Sequence, residues 1–394
     1  MLSELHTIFR RGLLVALGFA ILVISGRTLL LLGMMQPVVV RGSSMAPTLE
    51  GERWTIACPH CQRTLTIGVD QLASRPAPAC LICGSLLADE SLSLTPADQL
   101  VIDRTDSRLD RWDRVVFHCP HDALELCIKR VWGLPGEVMT IAEGDVFADG
   151  VRLAKPFSRQ IEVRRLEHRS TGFRPRWQTD GGWRLDGDRW QGEPVEGKPS
   201  SLTYDAVVHD DHPGNVAVRR RFNQVNDLMI DVSAQTEPAA VWQLMLPGGH
   251  ATLDTRRGLA SISNHQGERQ TPLATSTPRR VQFSNFDHRL VVGIDGQELL
   301  SLPANDAATG PPPTVRVLHG RVTLQDLSLY KDIYYEGVPL AWGATGDQPW
   351  LIGPDEYFVL GDNQAVSVDS RRWETTPGLP RRLILGRPYR RQGW

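Results

Sequence analysis

Pro37-Val38-Val39-Val40-Arg41-Gly42-Ser43-Ser44-Met45-Ala46-Pro47-Thr48-Leu49 is a short apolar run that breaks into a small-residue turn. Three consecutive valines favour a strand, and the Gly-Ser-Ser that follows ends it. Ser44 therefore sits in a turn just after a strand. Ahead of it lies Gly12 to Met35, 24 residues with one charge, Arg27. A helix of that length can cross a hydrocarbon core of about 30 Å. Arg27 divides the stretch and snorkels towards one interface. Arg10 and Arg11 precede it, which puts the N-terminus in the cytoplasm and the rest outside. The competing reading is a cleaved signal peptide, but no small-x-small site follows. No second apolar stretch of this length occurs in the sequence, so a single span is expected.

Beyond the turn the sequence reads as mostly β. Leu100–Ile102, Arg114–Phe117, Cys127–Val131, Val138–Ile141 and Asp145–Val151 are strand-like, with turns at Gly133-Leu134-Pro135-Gly136 and Ala148-Asp149-Gly150. From about 152 to 345 the texture changes to strand-like runs between turns: Ala217–Arg219, Leu228–Val232, Val241–Leu246, Arg280–Phe283, Leu290–Ile294, Leu299–Leu302, Thr314–Leu318 and Val322–Tyr330. Asp295-Gly296 is a hairpin signal. Short strands at this spacing suggest a β-sandwich. A length of 394 residues suggests two or three domains. The net charge of -2 argues against a nucleic-acid binder working through one broad basic surface. Six Cys are too few for a disulfide scaffold of this size.

Cys58-Pro59-His60-Cys61 and Cys80-Leu81-Ile82-Cys83 are 18 residues apart, a spacing within the zinc-ribbon range. Four thiolates suit tetrahedral zinc, although the same thiols can pair as disulfides in an oxidising compartment. The spacing favours zinc, with Cys58, Cys61, Cys80 and Cys83 as ligands and His60 as a loop residue. Cys119 and Cys127 flank a hairpin turn and can form a bridge. Cys127, however, shares a strand face with Lys129, which favours a free thiol facing the cleft.

A serine hydroxyl needs a base to act as a nucleophile. None of the 11 His lies in a convincing triad context. The alternative base is a lysine kept neutral by burial. Lys129, in the apolar strand Leu126-Cys127-Ile128-Lys129-Arg130-Val131, meets that need. Composition alone would leave it an ordinary solvated lysine.

Four segments change that weighting. Gly42-Ser43-Ser44-Met45-Ala46-Pro47-Thr48 resembles the nucleophile box of type I signal peptidases. Asp113-Arg114-Val115-Val116-Phe117 resembles the next box, and Ile128-Lys129-Arg130-Val131-Trp132-Gly133-Leu134-Pro135-Gly136-Glu137 the lysine box. Tyr357-Phe358-Val359-Leu360-Gly361-Asp362-Asn363, followed by Ser367-Val368-Asp369-Ser370-Arg371-Arg372-Trp373, resembles the last box. All four stand in family order behind an anchor of the right kind.

The resemblance implies a membrane-bound serine endopeptidase that removes signal peptides, needing no cofactor for catalysis. It implies Ser44 as nucleophile and Lys129 as general base. It implies that Ser367 orients the lysine and that Asp369 and Arg371 form a supporting ion pair. The Ser44 N–H would hold the oxyanion. Two residues earlier some members carry a serine; here it is Gly42, as in other members. Partners would be the lipid bilayer and exported preproteins with small residues at -1 and -3. Met45, Leu49 and Val368 are candidates to line the pockets for those residues, with plain core packing as the alternative. The enzyme would sit in the cytoplasmic (inner) membrane with its catalytic domain on the outer face.

Val281-Gln282-Phe283-Ser284-Asn285-Phe286-Asp287-His288-Arg289-Leu290, with Gly293-Ile294-Asp295-Gly296 and Leu327-Ser328-Leu329-Tyr330, resembles a lectin-like jelly-roll of laminin-G or concanavalin type. Asp287 and Asp295 are calcium candidates there, although such residues more often make turns. The expected layout is residues 1–36 as tip and anchor, and 37–52, 91–151 and 345–394 as a discontinuous peptidase core. Residues 53–90 would form an inserted zinc ribbon and 152–344 an inserted β-sandwich. Two other classes compete: a non-catalytic membrane receptor whose sandwich binds a glycan or a protein, and a self-cleaving repressor. Ser44, Lys129 and Ser367 together argue against the first, the anchor against the second.

Overall fold

The structure, a computed structural model, describes residues 2–29, 35–60, 63–72, 80, 85–88, 91–105, 108–170, 176–216, 218–273, 280–304, 310–337, 349–373 and 376–390. Leu2–Leu29 is one helix, and Arg10–Thr28 within it is long and apolar enough to cross a membrane. Met35, expected at the end of that apolar stretch, instead opens the first strand, Met35–Val39. The valines there favour extended backbone. Pro37 is tolerated because the strand is a sheet edge, where a missing N–H matters least.

That edge strand pairs with Gln99–Asp103 in a seven-stranded antiparallel sheet. The order continues through Ile384–Arg390, Arg114–Cys119, Asp122–Gly133, Glu356–Leu360 and Leu379–Pro380. The sheet thus draws strands from both ends of the chain. A four-stranded sheet (Val138–Ala142, Asp145–Ala148, Val151–Arg152 and Trp350–Leu351) packs beside it.

Between Arg152 and Trp350 the chain builds two antiparallel sheets that share one core. Strand alternation shows how. In Val241–Leu246, Trp242, Leu244 and Leu246 are fully buried while Gln243 and Met245 are half-buried. They meet Ile230, Val232 and Phe283 from the opposite sheet. Each such side chain contributes about 1.5–3 kcal/mol, so this sandwich carries its own hydrophobic core. Asp295 and Gly296, at φ 50° and 82°, form the two-residue turn between Arg289–Ile294 and Gln297–Pro303. Asp295 is therefore a turn residue. The strand expected at Ala217–Arg219 is not seen: Val218 and Arg219 lie in a loop, and Ala217 is outside the described residues. The strands Arg53–Ala57, Thr64–Gly68 and Leu92–Thr95 form a small third unit, whose last strand lies beyond the expected limit at residue 90.

The sandwich is joined to the core through buried charge. Lys155, 3% exposed, reaches Asp287 at 2.5 Å and Asp332 at 2.7 Å. Asp287, at φ 52°, is thus committed to an ion pair. Beside it a cavity of about 330 Å³ is lined by Asp145, Asp227, Asp332 and His288. Burial raises the carboxyls of Asp145, Asp227 and Asp332 above their ordinary range; Asp287 adds to this, and for Asp332 the raising persists against the opposing Lys155.

Candidate active site

The turn after the first strand folds back on itself. Gly42 takes φ 72°, a conformation that favours glycine. The Gly51 N–H donates to Gly42 O, and a Cβ at Gly51 would lie 2.8 Å from Gly42 N. The Ala46 N–H then donates to Ser43 O and the Leu49 N–H to Met45 O. This closed turn holds Ser44 half-buried, and the Ser44 N–H has no partner among the described residues.

Lys129 comes from the interior strand Asp122–Gly133, where Val115 pairs with it on one side and Phe358–Leu360 follow on the other. Its ammonium nitrogen lies 2.9 Å from Ser44 Oγ and donates also to Ile128 O at 3.1 Å. The side chain is only 4% exposed. Burial pulls its pKa from 10.5 down to about 8, against the opposing pull of Asp369, Asp362 and Glu125. The amine is therefore poised to exist neutral near physiological pH.

Ser367 is fully buried and lies against the same turn: a Cβ at Gly361 would fall 2.2 Å from Ser367 Oγ and 2.6 Å from Ser44 O. Its hydroxyl makes no ordinary hydrogen bond among the described residues, to Lys129 or otherwise. It does contribute to holding the Asp369 carboxyl low. Asp369 and Arg371 form a two-bond pair, both legs at 2.8 Å, with both side chains buried. Burial would raise the Asp369 carboxyl, but Arg371 and the Gly361 N–H outweigh it and hold it below the ordinary value.

A groove of about 810 Å³ is lined by the edge strand, Ser44 and Lys129, with Met45 and Val368 also on its walls. Leu49 does not reach it. It is fully buried beneath, packed with Val40, Met45 and Leu100. Leu124 to Lys129 all line the groove, and within that strand Glu125, Cys127 and Lys129 share one face. Cys127, favoured above as a free thiol, is bonded to Cys119 across the hairpin, with Cα atoms 5.4 Å apart. The shared face with Lys129 is real, but Phe117 pairs with Cys127 and the hairpin brings Cys119 within bridging distance. Cys58 and Cys80 are buried in the core of the small third unit, and their N–H groups donate to Arg63 O and Ser85 O. Cys61 and Cys83 lie outside the described residues.

Two features were not singled out from the sequence. One is the fully buried pair Arg130–Asp362, on the opposite strand face from Lys129. The other is Asn363, 1% exposed, whose backbone N–H donates to Ser44 O and whose Nδ2 donates to Ser43 O, each at 3.0 Å. Charged and amide residues inside an apolar box were the available hint.

A serine hydroxyl, a buried amine of lowered pKa and an open peptide N–H beside one groove suit nucleophilic attack on an extended polypeptide. Consistent with that class, residues 10–180 match the family described as "Signal peptidase, peptidase S26". The match supports a signal-peptidase enzyme acting on preproteins, and the apolar N-terminal helix is consistent with anchoring in a membrane. No curated protein matches the chain. Among solved structures, a carbohydrate-binding module, CBM66 from Bacillus subtilis, is similar at 13% identity and TM-score 0.30, over 39% of this chain and 94% of that one. The binding domain of botulinum neurotoxin serotype D/C is similar at 7% identity and TM-score 0.26, over 40% and 43%. That of serotype G is similar at 7% and 0.26, over 49% and 46%.

Proposed function

We propose that the chain is a membrane-bound Ser-Lys endopeptidase that removes signal peptides from exported preproteins at the outer face of the cytoplasmic membrane. The observation that carries this is the 2.9 Å approach of the buried Lys129 amine to Ser44 Oγ, both lining the groove. Neutral Lys129 takes the Ser44 proton as Oγ attacks the scissile carbonyl carbon. The developing oxyanion is held by the Ser44 N–H. The C–N bond then breaks, and the Lys129 ammonium gives its proton to the departing amine of the mature chain. Lys129, neutral again, deprotonates a water that attacks the acyl-serine ester, and returns that proton to Ser44 Oγ as the C–O bond breaks and the signal peptide is freed. Ser367, buried against the Ser44 turn, orients the lysine in this reading, and Asp369 with Arg371 fixes the loop that carries Ser367. Met45 and Val368 form the walls against which small -1 and -3 side chains pack.

The chain order supports a peptidase core interrupted by a ribbon and a sandwich. Cys58, Cys61, Cys80 and Cys83 would hold a structural zinc. The two described thiols are buried in a small apolar core, as such a site needs, and each takes its N–H to a carbonyl five residues on. The proposal is tested by incubating a purified preprotein with the detergent-solubilised chain, Ser44→Ala and Lys129→Ala alongside. Release of a mature chain cut after a small-x-small site by the wild type alone supports it. Cleavage by Ser44→Ala, or none by any of the three, overturns it.

A further inference from the structure

The turn that carries Ser44 is held from outside the core sheet. Asp70 follows the strand Thr64–Gly68 of the small unit. Its Oδ1 accepts the Ser43 hydroxyl at 2.6 Å and its Oδ2 accepts the Ser43 N–H at 3.0 Å. Asp70 is itself exposed, whereas Ser43 is 7% exposed. The fit is close, since a Cβ at Gly68 would meet Ser43 Oγ at 2.0 Å and Asp70 Oδ1 at 2.2 Å. On the other side stands Asn215, in a loop of the sandwich region. Its amide pairs reciprocally with that of Asn363, Nδ2 to Oδ1 in both directions, at 2.8 Å each. Asn363 is the residue whose N–H and Nδ2 hold Ser44 O and Ser43 O. Gly214 brings this loop so near the small unit that a Cβ there would lie 2.5 Å from Thr66 O. The two outer units thus touch each other and grip the same turn.

We propose that Asp70 and Asn215 are positioning residues, one from each inserted unit, that fix the orientation of the Ser43–Ser44 peptide and so complete the catalytic turn. The inference rests on the peptidase reading above. Neither side chain touches the reacting atoms. Asp70 pins Ser43 through its hydroxyl and the N–H of the preceding peptide, and Asn215 fixes the Asn363 amide that holds the Ser43 and Ser44 carbonyls. The Ser44 Oγ and N–H, which must face one scissile carbonyl together, depend on that peptide plane. Misplacement by about 1 Å costs on the order of 100-fold in rate.

The test uses the full chain in detergent with a preprotein substrate. Asp70→Ala and Asn215→Ala are each expected to lower kcat roughly 10- to 100-fold with KM unchanged. Asp70→Asn, which keeps an acceptor, is expected to recover part of the loss, and Ser43→Ala with Asp70→Ala to lose no more than Asp70→Ala alone. Gln270→Ala, on an exposed strand of the sandwich, keeps wild-type kcat. Amide hydrogen exchange gives a readout independent of turnover. Asp70→Ala should speed exchange at Ser43, and Asn215→Ala at Asn363, by at least about tenfold, while the sandwich core stays protected. Wild-type kcat in both variants overturns the proposal, as does a KM effect alone. So does unchanged exchange at both amides. If the wild type itself cleaves nothing, the peptidase reading fails, and the exchange measurement still decides whether the two side chains hold the turn.

Discussion

Arg130 and Asp362 clasp each other by two bonds, Nε to Oδ1 at 2.9 Å and Nη2 to Oδ2 at 2.7 Å, with neither side chain exposed. Lys129 and Arg130 are neighbours on one strand and so face opposite ways. One faces the groove and the other locks that strand to the segment carrying Asn363 and Ser367. Burial works against both charges, yet each partner outweighs it, so Arg130 is held charged and the Asp362 carboxyl is held low.

Arg130→Ala should therefore leave a carboxylate buried without its partner. The expected cost is roughly 3–5 kcal/mol, read as a lower midpoint in denaturant. Arg130→Lys should recover little of it, because an ammonium cannot make the two-pronged bond. A stability loss in Arg130→Ala within that of an ordinary surface change would show that the clasp does not hold the site.

The acid limb of activity follows from Lys129. With its pKa at about 8, the fraction of neutral amine rises as pH rises through that value and falls tenfold per pH unit well below it. The kcat/KM of the free enzyme should do the same. A profile flat down to pH 5 would exclude Lys129 as the base. Lys129→Arg should be inactive at every pH, since its guanidinium stays charged.

The same shift has an opposite face in stability. Between about 8 and 10.5 the unfolded chain holds a proton on Lys129 that the folded chain has lost, so this group's contribution improves as pH rises. Below that window the folded state carries the full penalty of a buried charge, on the order of 3 kcal/mol. Lys129→Met should thus be inactive but melt higher than wild type at pH 7, with the gap closing towards pH 10.5. An inactive variant that melts lower at pH 7 contradicts this.

The strands were legible where alternation and turn chemistry agreed: Val241–Leu246 has the bounds expected of it, and Asp295-Gly296 turns the hairpin it signals. Ser44 and Lys129 stood out through box order, not through periodicity, and the structure brings them together across 85 residues of sequence. What stayed hidden depends on contacts distant in sequence. Arg130 stood in the lysine box with no role of its own, because its partner is 232 residues away. Asn215 lies just before the run Ala217–Arg219 that reads as a strand, and nothing local announces that its amide meets Asn363. Cys127 was misread because a strand face says where a side chain points but not what its hairpin partner brings to it.

Gly361 marks the closest packing around the nucleophile. A methyl group there would sit 2.6 Å from Ser44 O and 2.2 Å from Ser367 Oγ. The serine can turn away, but the Ser44 carbonyl is fixed by the Asn363 N–H. Gly361→Ala should cost about 1–3 kcal/mol of stability through overpacking and roughly 10- to 100-fold in kcat through displacement of the Ser44 turn. Wild-type turnover in a folded Gly361→Ala would mean that this turn tolerates movement.

The carboxylates around the cavity at the sandwich seam give a second pH signature, of opposite sign to that of Lys129. Asp145, Asp227 and Asp287 bring carboxylate oxygens within 4.8 Å of one another. Burial first, and the Asp287 charge next, push Asp145 up to about 7, although Arg152 sits 2.8 Å away and Lys155 also opposes the rise. A raised carboxyl means that between about 4 and 7 the folded chain holds a proton the unfolded chain has released. Stability from this group is then fully present below the unfolded pKa and is lost as pH rises through the folded one. Asp145→Asn removes the charge and keeps the shape. At pH 8, in EDTA, it should raise the thermal midpoint of the full chain, and by pH 4 the difference should vanish because the wild-type carboxyl is then protonated. If Asp145→Asn melts lower at pH 8, the Arg152 ion pair outweighs the repulsion among the carboxylates.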